Sequence, residues 1–262
     1  MALHPDYQPT TGAPSSGRTA ALDAAAVDAG LQAHMLRVYN WMASGLLLTG
    51  AVAYLIANTP ELQALFYQRV MTPGGVAVQP TILAYIAMFS PLAFVLVLSF
   101  GINRLSKTAA QLLFWAFAAV MGASISHILL IYTGASVARA FFVAAAMFGG
   151  MSLYGYTTKA DLTRMGSFMM MGLIGIIIAS LVNMFIGSTA LQFAISVIGV
   201  IVFLGLTAWD TQRIKADYVE HAYAEGADLA AKRSVMDALG LYLNFINLFM
   251  LLLQFMGVRQ QE

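Results

Sequence analysis

The chain has 262 residues, of which 60% are hydrophobic and only 10% are charged. Soluble domains carry roughly 25% charged residues, so this composition excludes an ordinary soluble protein and indicates an integral membrane protein. The net charge of +1 provides no concentrated basic surface, and we therefore expect no nucleic-acid partner. The absence of cysteine excludes disulfides, thiolate metal sites and a cysteine nucleophile.

The apolar runs are continuous rather than alternating, which favours transmembrane helices over a β-barrel. About 20 apolar residues cross the hydrocarbon core as one helix. We therefore predict an all-α fold, a polytopic membrane protein built as a seven-transmembrane-helix bundle. The predicted spans are Val38–Ala57, Ile82–Ile102, Ala109–Tyr132, Val137–Tyr156, two spans within Met165–Trp209, and Ala238–Val258.

The ends of the chain and the first long connection are predicted to lie outside the spans. Residues 1–36 are expected to form a mobile cytoplasmic tail with a short helical lead-in over Leu31–Arg37, because the first 30 residues are rich in Ala, Pro, Ser, Gly and Thr and lack a signal-peptide pattern. Residues 37–258 form the predicted transmembrane domain, and residues 259–262 a short tail. Glu61–Pro80 is predicted to be a long loop with a turn at Pro73-Gly74-Gly75.

The positions of Lys and Arg predict the orientation, because cytoplasmic loops are enriched in these residues. With the amino terminus in the cytoplasm, ten of them fall inside and three outside. This distribution predicts a multi-pass membrane protein with an outside carboxyl terminus. The inside residues are Arg18, Arg37, Arg104, Lys107, Lys159, Arg164, Arg213, Lys215, Lys232 and Arg233, and the outside residues are Arg69, Arg139 and Arg259.

The longest uncharged run organises the search for a site. No Asp, Glu, Lys, Arg or His occurs between Met165 and Trp209, and the run ends at Asp210. An ionisable residue at the edge of such a run is a functional candidate, because charge is costly in the membrane. A carboxylate withdrawn from water can exchange a proton near physiological pH. The alternative is that Asp210 only ends the sixth span and pairs with Arg213 in solvent.

Polar residues on the fifth and seventh spans are candidate partners of Asp210. Asp237, Asn244 and Asn247 fall at i, i+7 and i+10, and we predict that they share one stripe of the seventh span facing the bundle. Asn183 is predicted to lie deep in the fifth span. Carboxylate and amide oxygens suit calcium, so Asp210 is also a candidate metal ligand.

Two other constellations are weaker. Ser124, Ser126 and His127 are near neighbours that face different sides of a helix, and no Gly-x-Ser-x-Gly elbow occurs, so hydrolase chemistry is not favoured. We expect no enzymatic activity, no catalytic residues and no cofactor other than a calcium ion, and His127 is expected to bond between helices. The methionines around Met169–Met171 are predicted to pack rather than to bind metal.

Several segments in order resemble the bacterial branch of the Bax inhibitor-1 family, also called the transmembrane Bax inhibitor motif family. The similarity runs from about Arg37 to Gly257. Its segments are RVYNWMASGLLLTG from Arg37, TTKADLT from Thr157 with Gly166, LVN from Leu181, GLTAWDTQRIK from Gly205, and LYLNFINLF from Leu241.

The resemblance implies a seven-helix bundle of the bacterial inner membrane whose last helix is wrapped by the others, with a pH-sensitive calcium leak as its activity. In that family two aspartates on the sixth and seventh helices share a proton and act as the sensor. Asp210 matches the first aspartate, whereas Asn244 stands where the family has the second. An Asp and Asn pair can hydrogen-bond but lacks the like-charge repulsion that couples two carboxylates.

Two functions follow from this resemblance. The first is a calcium or other cation leak, with Asp210 and Asn244 as the ion-binding and pH-sensing pair and Asn183, Asp237 and Asn247 as supporting polar residues. The alternative is a regulator, without transport activity, of membrane proteolysis and membrane-protein quality control, with a membrane protease as partner. The lipid bilayer is a partner in either case.

Overall fold

The computed structural model describes residues 15–72, 75–101, 104–221 and 227–260. The described chain is almost entirely helical, with one short hairpin. Its elements are α1 (Ser15–Asn58), α2 (Pro60–Phe66), β1 (Tyr67–Thr72), β2 (Gly75–Pro80), α3 (Ile82–Gly101), α4 (Lys107–Ile125), α5 (Ile128–Ile131), α6 (Gly134–Thr157), α7 (Thr163–Ile186), α8 (Thr189–His221) and α9 (Ala227–Met256).

Seven helical stretches of the described residues are long and apolar enough to cross a membrane. They coincide with the seven predicted spans, and the prediction of an all-α polytopic bundle is confirmed. Helices can cross hydrocarbon because they satisfy most of their backbone hydrogen bonds internally. The turn between the fifth and sixth spans lies at Gly187, whose φ of 66° ends α7 in the left-handed region that glycine adopts readily.

Several helix boundaries differ from those predicted. The first helix begins at Ser15 rather than at Leu31, in an Ala-rich stretch with high helix propensity, and residues 1–14 of the predicted tail lie outside the described residues. The last helix begins at Ala227 rather than at Ala238. Polar and charged residues lengthen both helices beyond the apolar spans, and hydropathy therefore did not mark their starts.

The predicted loop over Glu61–Pro80 is largely regular structure. Pro60 starts α2 in the first helical turn, where its missing N–H costs nothing. β1 and β2 then pair antiparallel with Tyr67 opposite Pro80 and Thr72 opposite Gly75. The predicted turn at Pro73-Gly74-Gly75 falls partly outside the described residues, at positions 73 and 74, although the register is that of a hairpin.

The third predicted span is interrupted near its end. The Ser126 hydroxyl donates to the Ala123 carbonyl, and Leu129 and Leu130 form hydrogen bonds to carbonyls three residues back, at Ser126 and His127. These tighter turns separate α4 from α5. The resulting bend places α5 beside α6, close to the end of α9.

α9 is the centre of the bundle. It packs against α1, α4, α6 and α8, and residues such as Leu241, Tyr242 and Leu248 have no exposed surface. Tyr242 stacks edge-on against Phe114 and Phe117 of α4 and shares a hydrogen bond of 2.7 Å with Thr49 of α1. The arrangement agrees with the expectation of a last helix enclosed by others, although α3 and α7 pack mainly on α4 and α8.

Candidate functional site

Asp210 lies within α8, not at its end. The helix continues for three turns to His221, so Asp210 ends the uncharged run of the sixth span but does not end the helix. The segment from Thr211 to His221 is helical although it carries charged residues. Hydropathy marks only apolar stretches, so it did not predict that the helix continues there. Only 8% of Asp210 is exposed, and its carboxylate faces α9.

Both carboxylate oxygens of Asp210 have partners inside the protein. Asn244 Nδ2 donates to Oδ2 at 2.7 Å, and the Arg213 guanidinium donates to Oδ1 at 2.8 Å. The predicted contact between Asp210 and the seventh span is therefore present. The pairing with Arg213 is also present, but the carboxylate is buried, which contradicts the alternative of a pair in solvent.

Arg213 closes one side of this site. Its guanidinium lies 4.8 Å from the centre of the Trp209 ring, and 44% of its side chain is exposed. Stacking on an aromatic face restrains a guanidinium without neutralising it. The arginine thus bridges a buried carboxylate and the surface of the bundle, where its charge keeps contact with water.

A chain of hydroxyl groups that the sequence did not reveal runs beside Asp210. Tyr39 of α1 bonds Ser152 of α6, and the Ser152 hydroxyl lies 3.0 Å from that of Thr211, the residue after Asp210. Thr211 in turn donates to the Thr207 carbonyl of its own helix. Serine and threonine are common in transmembrane helices, so only their convergence in three dimensions identifies them.

Asp237 is predicted to support the site. In the structure its partner is His34, a residue that the sequence analysis did not select. His34 Nε2 lies 3.1 Å from Asp237 Oδ2, and the imidazole stacks on Tyr218 with 5.0 Å between ring centres. Only 4% of the His34 side chain is exposed. Asp237 precedes Asn244 by two turns, about 10 Å along α9, so this pair joins α1 to α9 beside the site.

Two predicted supporting residues do not belong to the site. Asn183 lies one turn before the end of α7, where its amide accepts from the Ser188 backbone N–H and donates to Gln192. It fixes the turn into α8 at the opposite end of that helix. The prediction that Asn183 lies deep in its span with Asp210 is therefore wrong, because the turn begins only four residues later.

Asn247 is exposed, and its amide donates to the Leu243 carbonyl of its own helix at 2.8 Å. Three residues advance a helix by 300°, so Asn247 is rotated about 60° from Asn244. The predicted stripe from Asp237 to Asn247 covers too wide an angle for all three side chains to face the same neighbouring helix. The prediction that Asn247 faces the bundle is wrong.

His127 is also placed differently. Its Nδ1 lies 3.0 Å from the Ser124 carbonyl of its own turn, whereas Ser126 makes the contact to another element, a hydrogen bond of 2.8 Å to the Tyr67 hydroxyl on β1. Burial raises the pKa of Tyr67 above its usual value, so this phenol stays neutral. The prediction that His127 bonds between helices is therefore wrong, and the contact from this turn joins Ser126 to a strand instead.

Among the described residues, no three His, Asp or Glu side chains cluster closely enough to hold a metal ion. A calcium ion at Asp210 would therefore draw its oxygens from the carboxylate, the Asn244 carbonyl oxygen and water, a set with one formal charge. Calcium sites gain affinity from ligand charge, so the residues present fit a transient ligand better than a resident ion.

The family assignment rests on nearly the whole bundle. The sequence model of the family described as inhibitor of apoptosis-promoting Bax1 matches residues 31–261. The chain belongs to the Bax inhibitor-1 family. The match includes both helices that carry the site.

Bacterial relatives of this family are similar over most of their length. The chain is 46% identical to an uncharacterised protein of Rickettsia prowazekii over 97% of this chain and 99% of that protein. It is 47% identical to an uncharacterised protein of Caulobacter vibrioides, covering 88% and 90%, respectively. It is also 46% identical to the inner membrane protein YbhL of Escherichia coli K12, covering 88% of this chain and 94% of YbhL.

Proposed function

We propose that this protein is a cation leak pathway of the bacterial inner membrane, permeable to calcium and gated by protonation of Asp210. One observation carries the proposal: Asp210 is only 8% exposed, lies within α8 where the uncharged run ends, and accepts through each carboxylate oxygen a bond that protonation would weaken. Ionisable residues in such positions mark ion and proton pathways in membrane proteins.

The bonds of Asp210 describe a closed arrangement. Oδ1 accepts from Arg213 and Oδ2 accepts from Asn244, so a passing cation would compete with a donor at each oxygen. Protonation would remove the ionic attraction to Arg213 of the same helix, and it would weaken the charge-assisted bond from Asn244, which is the bond that joins α8 to α9. Gating by this route requires movement between these two helices, since they supply both ends of the Asn244 bond.

Asn244 sets how strongly pH acts on the gate. Two aspartates would share a proton and titrate as a pair, whereas a neutral amide neither repels the Asp210 carboxylate nor donates a titratable proton. We therefore expect a weaker calcium flux and a shallower pH dependence than in relatives with two acids. A single carboxylate also attracts a divalent cation less strongly than a pair does.

Calcium flux into liposomes, measured from about pH 5 to pH 8, tests the proposal. Asp210→Asn should abolish the pH dependence, and Asn244→Asp should increase both the flux and its steepness. Asn247→Asp, on an exposed face of the same helix, controls for the added charge. Unchanged pH dependence in Asp210→Asn would place the sensor elsewhere, and absence of flux in every variant would favour the regulator of membrane proteolysis.

We also propose that the amino terminus lies in the cytoplasm, with the turn between α7 and α8 outside. The distribution of Lys and Arg supports this orientation, and YbhL is described as an inner membrane protein. The cysteine-free chain allows a direct test by single cysteines. Thr189→Cys should react with an impermeant maleimide in intact cells, and Lys159→Cys only after permeabilisation. The reverse pattern would invert the orientation.

A further inference from the structure

A cavity lies at the far end of α9 from Asp210. It has a volume of about 310 Å³, and its lining includes Ile131, Met250, Leu253, Gln254 and Arg259. Gln254 follows Asn244 by ten residues, which is about 15 Å along the helix. The proposed gate uses none of these residues, so the cavity is a separate feature of the bundle.

The backbone holds Arg259 in place at this cavity. Thr133 N–H donates to the Val258 carbonyl at 3.0 Å, and Gln260 N–H donates to the Ile131 carbonyl at 2.8 Å. These two bonds flank Arg259 and form a bridge between it and Tyr132. A Cβ at Gly257 would overlap the Tyr132 ring, so the chain approaches α5 closely just before this bridge.

The guanidinium of Arg259 is a charged donor without an acidic partner in the part of the chain that the structure describes. No Asp or Glu is among the residues that line the cavity. The bridge fixes the backbone of Arg259, so only its side chain has to become ordered when a ligand binds. A fixed arginine of this kind suits a phosphate or carboxylate, which accepts two parallel N–H bonds.

Gln254 supplies a second oriented donor. Its Oε1 accepts from Gln192 Nε2 at 2.8 Å and lies 3.4 Å from the Ser196 hydroxyl. The single Ser196 proton is also within reach of the Gln192 carbonyl at 3.0 Å, so Gln192 Nε2 is the donor that orients the amide oxygen, and the amide NH₂ is directed away from it. No acceptor within the described ranges is assigned to that NH₂ group, so it is available to an anion in the cavity together with Arg259.

The rest of the lining is mostly apolar, and His127 and Tyr132 are its polar members. Ile131, Met250 and Leu253 line the cavity, and three large apolar residues at this end are exposed, namely Ile131 (41%), Phe255 (52%) and Val258 (58%). On a transmembrane bundle such residues contact acyl chains. A ligand that satisfies both surfaces therefore carries an oxyanion and an apolar chain.

We infer that this cavity binds an anionic phospholipid, with its phosphate at Arg259 and Gln254 and its acyl chains along Ile131 and Phe255. Water occupies about 30 Å³ per molecule in the liquid, so the cavity has room for roughly ten waters or for a phosphate with a glycerol headgroup. The location at the end of the spans is the depth at which headgroups lie.

The test uses the purified full-length protein in a neutral detergent with added phosphatidylglycerol, and with phosphatidylcholine as the zwitterionic comparison. Phosphatidylglycerol should raise the thermal unfolding temperature in a saturable way, and native mass spectrometry should show one retained lipid. Phosphatidylcholine should produce neither effect at the same mole fraction. An equal response to both lipids would overturn the inference, because it would reflect solvation by any bilayer lipid.

Variants separate the site from general surface charge. Arg259→Gln removes the charge but keeps the backbone bridge, and it should weaken phosphatidylglycerol binding about tenfold. Gln254→Glu keeps the oxygen that accepts from Gln192 but replaces the NH₂ donor with a negative charge, and it should weaken binding at least as much. Arg139→Gln removes an exposed arginine of α6 outside the cavity and should leave binding unchanged.

Two further outcomes decide against the inference. Equal losses in Arg139→Gln and Arg259→Gln would show that net charge alone attracts the lipid. Inorganic phosphate that raises the unfolding temperature as much as phosphatidylglycerol, at the same concentration, would assign the cavity to a soluble anion. Unfolding temperatures measured without lipid show whether each variant is folded before its lipid response is compared.

Discussion

α7 and α9 are both transmembrane helices, yet they differ in how the protein uses them. α7 has the higher mean hydropathy of the two, 2.3 against 1.7 in their most apolar stretches. Only 6% of that stretch is buried in α7, whereas 56% is buried in α9. The less apolar helix is therefore the central one. In a soluble protein the more apolar helix would be the more buried.

The physical reason is that lipid is as apolar as a leucine side chain. A leucine gains little from moving out of the acyl chains into the bundle, so hydropathy does not determine which helix becomes central. Polar groups do gain, because the bundle offers them partners that the lipid lacks. α9 carries Asp237, Tyr242 and Asn244, and each of them has a partner on another helix.

The largest expected difference between the two helices concerns matched leucines. Leu248 of α9 is fully buried, whereas Leu181 of α7 is 55% exposed. Leu248→Ala should lower the free energy of unfolding by about 2 kcal/mol or more because it leaves a cavity, and Leu181→Ala should change it by less than about 0.5 kcal/mol because lipid fills the space. Thermal or denaturant unfolding in micelles measures both, and equal losses would contradict the comparison.

Matched asparagines on α9 test whether polar partners hold the central helix. Asn244→Leu should lower the free energy of unfolding by about 1 to 3 kcal/mol, because Asp210 then loses one buried donor. Asn247→Leu serves as the control on the same helix, and it should be neutral because this side chain bonds only to its own backbone. If Asn244→Leu proved harmless, the contact of α8 with α9 would not depend on the polar pair.

The smallest expected effect lies at the start of the peripheral helix. Hydrogen bonds from the side chain and backbone N–H of Thr163 lower the pKa of Asp161 below its usual value. A carboxyl group whose pKa is lowered by folding adds stability above its usual pKa, and this contribution is lost as the pH falls through the lowered value.

Hydrogen exchange at the Gly166 amide, which bonds to Leu162 in the first turn of α7, reports this local stability. Its protection should decrease from pH 5 to acid pH in the natural protein. Asp161→Ala should give low protection at both pH values because it removes the acceptor. Asp161→Asn keeps an acceptor that does not titrate, so its protection should be the same at both pH values. A pH effect that survives in Asp161→Ala would assign the change to another group.

The number and order of the spans could be read from the sequence, because a membrane helix must be about 20 apolar residues long and satisfy its own backbone. Asp210 could be selected for a similar reason, since a charge at the edge of a long uncharged run is costly wherever it lies. The motif around Asp210 and Asn244 also placed the contact between α8 and α9 correctly. These features depend on local composition and on short segments.

Only the tertiary structure decided which polar residues share the site. Asn183, Asp237, Asn244 and Asn247 have similar polarity, yet they bond to a turn, to His34, to Asp210 and to their own helix, respectively. Helical spacing gives the angle of a side chain around its own axis but not which neighbour lies there. His34 and Ser152 became recognisable only when the packing of α1 and α6 against α8 and α9 brought their partners within bonding distance.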